Sequence, residues 1–161
     1  MEKKMRSDLK INSKKKPSGI DQVLEDKNLR HAFFNHDQLM FGFIDNNMDI
    51  VKVSKSMAES LGYAPEEMAG MSLVEMSNPR ENDENLPIYK FMVEHNEPAF
   101  FMHPTKYKKI DGTLIQVQCL QPIHLEEEEL WLIHAYQIPL ESKGISVLTD
   151  NYQNFLNGGK K

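Results

Sequence analysis

The sequence predicts an α+β domain: a five-stranded antiparallel sheet with short helices on one face and helical segments flanking it at both ends. Three observations predict it. Two short apolar runs near residue 40 are split by an Asn-rich turn. A stretch of helical periodicity broken by Gly and Pro follows, from Ser54 to His95. Beyond Pro98 the period changes to two and stays there to Ile138.

Residues 1–18 read as a basic, disordered tail, closed by Pro17-Ser18-Gly19. Seven basic and two acidic residues fall in 1–16, so this segment is positive while the remainder of the chain is acidic. The acidic body argues against nucleic acid as the partner of the domain itself. Residues 19–37 form an N-terminal flanking helix, with Asp21 as cap and Ile20, Val23, Leu24, Leu29 and Phe33 at partial apolar spacing. It is too short to stand alone and must pack on something.

The domain proper is expected over 38–139. Leu39–Ile44 and Asp49–Val53, joined through Asp45-Asn46-Asn47, make a hairpin. Ser54 stands where a helix begins and is the natural N-cap. Val53, Met57 and Leu61 then give one apolar face, and Gly62 ends the helix by accepting positive φ. Pro65 with Glu66 and Glu67 suits a single helical turn, stopped at Gly70. Ser72–Met76 is another, ending before Asn78-Pro79. From Asp83 to His95, Leu86, Tyr89, Met92 and Val93 share a helical face.

The strands come next. Ala99–Lys108 is aromatic-rich, and Asp111-Gly112 signals the hairpin into Leu114–Ile123. There Ile115, Val117 and Cys119 lie on one face and Gln116 and Gln118 on the other. Glu126–Glu129 is a solvated loop. Leu130–Ile138 closes the sheet, with Trp131, Ile133 and Ala135 opposite Leu132, His134 and Tyr136. In the C-terminal flanking segment, 140–161, Ile145, Leu148, Tyr152 and Phe155 have the spacing of a docking helix over Ser142–Asn157.

Over Leu39–Ile138 the chain resembles a PAS domain. The residues that carry the resemblance are Phe43-Ile44-Asp45, Leu61-Gly62-Tyr63 with Glu66-Glu67-Met68 and Gly70, Asn78-Pro79, Lys109 with Asp111-Gly112, and the last strand Trp131–Ile138. One departure is Ser54, where the family often has Asn. The resemblance implies a sensory and protein-interaction module. Its sheet and short helices would enclose a small pocket, and its outer face and flanking helices would carry dimer contacts and output.

The chemistry-bearing residues narrow the choice. The flavin-photosensor branch needs a Cys just after Gly70, but the segment is Met71-Ser72-Leu73-Val74 and the single Cys is Cys119. Haem needs an axial ligand, and His95 falls at a helix end while His103 and His134 are strand residues. Met57, Met68, Met71, Met76 and Met92 read as flexible core filler. His31 and His36 lie off one helical face, with no carboxylate cluster to make a metal site. No G-x-G-x-x-G or G-K-[ST] phosphate loop occurs, and no nucleophile–base pair can be assembled.

The expectation is therefore a non-enzymatic module without haem or flavin. It is expected in the cytoplasm, since a lone Cys excludes an internal disulfide framework and no apolar run is long enough to cross a membrane. Two readings of its interior stand side by side. Phe43, Met57, Met92, Met102, Val117, Cys119 and His134 line a pocket for a small apolar ligand, or these side chains fill the space and the domain works by contacts alone. The partner would be a second copy or another signalling protein. The alternatives are the sensor portion of a histidine kinase or transcription regulator, or a haem-binding sensor.

Overall fold

The computed structural model describes residues 39–77 and 79–159. The expected tail (1–18) and N-terminal helix (19–37) lie outside the described residues. The chain runs β1 (Met40–Ile44), β2 (Ile50–Val53), α1 (Lys55–Leu61), a 3-10 turn (Pro65–Glu67), α2 (Leu73–Met76), α3 (Pro79–His95), β3 (Phe100–Lys108), β4 (Leu114–Leu120), β5 (Ile123–Leu125), β6 (Leu130–Ile138), β7 (Val147–Leu148) and α4 (Asp150–Leu156).

All strand pairs are antiparallel, in the order β2-β1-β6-β4-β3-β7, with β5 also paired to β6. The sheet has seven strands where five are expected. Pro122 explains part of this: it has no N–H for the ladder, so the predicted strand 114–123 divides into β4 and β5. The seventh, β7, comes from the C-terminal segment. There Val147 and Leu148 add an edge to β3, and only Asp150–Leu156 is helical.

Local chemistry sets the turns. In the β1–β2 hairpin the Asp45 carboxylate accepts from the N–H groups of Asn47 (2.8 Å) and Asp49 (3.0 Å). Ser54 caps α1, its Oγ accepting from Met57 N–H at 3.2 Å. The same hydroxyl oxygen accepts from Phe41 N–H at 3.1 Å, so the cap also ties α1 to β1. Gly62 ends α1 at φ +86°, and a side chain there would meet Ile110. At the β3–β4 turn Asp111 accepts from Thr113 N–H and Oγ1–H. Those bonds hold its carboxyl below the ordinary carboxylate range.

Side-chain alternation divides the sheet. Ile44, Tyr107, Ile115, Val117, Cys119, Trp131 and Ala135 face the helices and meet Met57, Leu61, Met68, Leu73, Tyr89 and Met92 in one core. A separate cluster joins Phe41 and Phe43 to Leu39, Leu125, Leu130 and Leu132. Burial of these side chains supplies about 25 cal/mol per Å² of apolar surface removed from water.

Candidate functional site

The interior between α3, α1 and the sheet narrows to a cavity of about 20 Å³. That is space for about one water molecule. Met40 (β1), Met57 (α1), Leu73 (α2), Tyr89 (α3), Phe100 and Tyr107 (β3), Cys119 (β4) and Ile133 (β6) are among its lining residues. Its polar groups converge: the buried Tyr107 hydroxyl hydrogen-bonds with both Tyr89 and Cys119. Burial first, and then these two neighbours, push the Tyr107 phenol well above its ordinary range. The hydroxyl therefore stays protonated and can donate one bond while accepting another.

Of the expected lining residues, the structure brings Met57, Cys119 and His134 to the cavity. Phe43, Met92, Met102 and Val117 are not part of its wall. Phe43 belongs to the second apolar cluster, because β1 alternation gives the inner positions to its neighbours Gly42 and Ile44. Met92 and Val117 are fully buried in the main core away from the cavity. Met102 pairs with Leu120 and Val147 near the sheet edge. The sequence marks Tyr89 only as a helix-face residue and Tyr107 only as part of an aromatic-rich strand, since their meeting depends on α3 lying over β3.

A second feature lies on the other face of β4. The C-terminal segment crosses the sheet there, held by two nearly fully buried glutamines. Gln116 Nε2 donates to Ser142 O at 2.8 Å. Gln118 Nε2 donates to Ile145 O at 2.8 Å, and its Oε1 accepts from Ile145 N–H at 2.8 Å. Thr149 N–H then donates to Ala99 O. Beyond it α4 packs on the end of α3, with Phe91 against Tyr152 and Phe155 at ring separations of 4.9 and 5.0 Å.

Two of the histidines are committed elsewhere, while His134 stays at the cavity wall. His95 Nδ1 bonds the Phe91 carbonyl at 3.0 Å, and its ring stacks on Phe91. His103 Nε2 lies 2.6 Å from Asn85 Oδ1, and its Nδ1 lies 3.2 Å from Ser146 Oγ. No group of three or more potential metal ligands occurs among the described residues.

This architecture is matched by a family model described as PAS domain, over residues 38–138. The chain belongs to the PAS domain family. Solved PAS structures share the fold. The PAS domain of an HTR-like protein from Haloarcula marismortui aligns with TM-score 0.54 at 20% identity, over 69% of this chain and 96% of that one. A domain of a sensory box sensor histidine kinase/response regulator from Geobacter sulfurreducens aligns with TM-score 0.54 at 17% identity, over 68% and 91%. The PAS domain of the RpfR quorum-sensing receptor from Cronobacter turicensis, solved in complex with BDSF, aligns with TM-score 0.52 at 12% identity, over 63% and 95%. No curated protein matches the chain. No helix among the described residues is long and apolar enough to cross a membrane.

Proposed function

We propose that this PAS domain is a non-catalytic signalling module whose input is the interior around Tyr89, Tyr107 and Cys119, and whose output is the C-terminal segment 139–159. The observation that carries this reading is the two-sidedness of β4. Cys119 faces the cavity, while the adjacent Gln118 and Gln116 grip the segment on the opposite face. A change on one face of that strand is one residue away from the contacts on the other.

The cavity volume favours a module without haem or flavin in this conformation, because cofactor sites occupy roughly 300–1,000 Å³. His95 Nδ1 and both ring nitrogens of His103 are engaged with other groups, and the segment after Gly70, Met71-Ser72-Leu73-Val74, holds no Cys. A ligand would have to be small and largely apolar, and would enter by moving Met40 and Met57, the most adaptable side chains of the wall. Binding would then select a conformation in which α3 stands further from the sheet. The partner that reads the segment is a second copy of this chain or another signalling protein, acting in the cytoplasm.

Thermal unfolding of the full chain against a panel of small, largely apolar compounds, straight-chain alcohols and carboxylic acids among them, tests the input. A ligand that binds only the folded state raises the unfolding temperature with concentration. No rise with any member would count against a small apolar ligand as input and leave the filled-interior reading, in which the domain signals by contacts alone. An absorbance band in the Soret or flavin region of the purified protein would contradict the cofactor-free reading.

A further inference from the structure

The α3–β3 seam holds a polar link whose far end is the C-terminal segment. Asn85 on α3 is almost completely buried, 3% exposed. Its Oδ1 meets His103 Nε2 at 2.6 Å, and the other nitrogen of the same ring meets Ser146 Oγ at 3.2 Å. Ser146 immediately precedes β7, the strand that fastens the segment to the sheet edge. Two elements remote in sequence are thus joined through one imidazole.

We infer that Asn85, His103 and Ser146 form a relay that reports the position of α3 to the C-terminal segment. This inference rests on the reading of that segment as the output. The chemistry of the ring makes the two bonds interdependent. In a neutral imidazole one nitrogen donates and the other accepts. Nε2–H donating to Asn85 Oδ1 leaves Nδ1 to accept from the Ser146 hydroxyl. With the Asn85 amide turned over, both directions reverse together. Either way, the group that α3 presents to His103 dictates the polarity of the bond to Ser146.

Three further observations fit a relay. Burial holds the His103 imidazole below its ordinary range, although Glu84 acts in the opposite sense. The ring is therefore neutral near pH 7, the state in which its nitrogens are complementary. Pro87 lies in α3 between Asn85 and the cavity residue Tyr89. It has no N–H for the carbonyl four residues earlier, so the helix ladder is one bond short where the two sites meet. The second amide atom of Asn85, Nδ2, is buried without a partner. His103 is therefore the hydrogen-bond partner of the Asn85 side chain among the described residues.

The test is a double-mutant cycle on the full chain without added ligand, read by amide hydrogen exchange at residues 147–149. Asn85→Ala and Ser146→Ala should each speed exchange there about threefold, and the double variant should be no faster than the faster single one. Gln118→Ala, which loosens the segment at another point, should multiply with either. Unchanged exchange in Asn85→Ala, or effects of the two variants that multiply, would overturn the relay. Asn85→Asp serves if Asn85→Ala does not fold. Its carboxylate can only accept, which fixes Nε2–H, so exchange at 147–149 should equal or fall below that of the native chain, and faster exchange there counts against the relay. Because no ligand is present, a failed cycle leaves the input reading standing, and a failed ligand screen leaves the cycle readable.

Discussion

Gln118 binds Ile145 through both ends of its side-chain amide, with two bonds of 2.8 Å that imitate a strand pairing. The glutamine is 2% exposed, so each bond replaces water in a protected place. Gln118→Ala removes both and leaves the Ile145 backbone groups to solvent. The expected loss is about 1–2 kcal/mol in urea unfolding, with faster amide exchange confined to 142–149. A global change in exchange would point instead to a role in the core.

Gly144 allows the segment to turn over β4. Its φ is +60°, and a built Cβ would lie 2.7 Å from Pro104 Cβ and 3.0 Å from Gln118 Oε1. Gly144→Ala is therefore strained in backbone and in space. It should lift the segment off the sheet, seen as loss of the Gln118 side-chain NH₂ resonances from their protected positions. The penalty is limited to about 1–2 kcal/mol, since the segment can detach without opening the core.

Ser54 stands where the family often has Asn, yet it does more than cap a helix. Its Oγ accepts from both Met57 N–H and Phe41 N–H and contacts the Leu39 carbonyl and Ser56 Oγ, all in a fully buried site. Ser54→Ala leaves two buried donors without this acceptor. The expected cost is about 2 kcal/mol, at the upper end for a cap, measured as a lower urea midpoint with unchanged slope.

Acid should weaken the fold below neutrality. Burial lowers the pKa of both His103 and His134 below the ordinary 6.5. The unfolded chain then binds protons that the native chain refuses, so these residues contribute stability above about pH 6.5 that is lost as pH falls toward their native values. Urea midpoints measured from pH 7.5 to 5 should decline, and His103→Gln with His134→Gln should flatten that decline. A flat native profile would contradict the buried neutral state of these rings.

Much of this fold is legible in the sequence, and the legible parts share a cause. The Ser54 cap, the Gly62 stop, the Asp111-Gly112 hairpin and the Ile115/Val117/Cys119 alternation each depend on residues within a few positions of one another. The less legible parts depend on long-range pairing. Tyr89 meets Tyr107 only because α3 lies over β3, and β7 exists only because β3 offers Phe100 and Met102 as partners. The apolar spacing of Ile145, Leu148, Tyr152 and Phe155 reads as helix, but Gly144 and the two glutamines hold its first part extended. Phe43 illustrates a one-residue error of face: an apolar strand buried on both sides does not tell inner from outer.

The most direct test of the account is amide hydrogen exchange of the full chain with and without the small apolar compound that most raises its unfolding temperature. Coupling between interior and segment predicts slower exchange in the strands around Tyr107 and Cys119, together with faster exchange at 142–149. Slower exchange at both places, or an unaltered 142–149 in the bound protein, would contradict it.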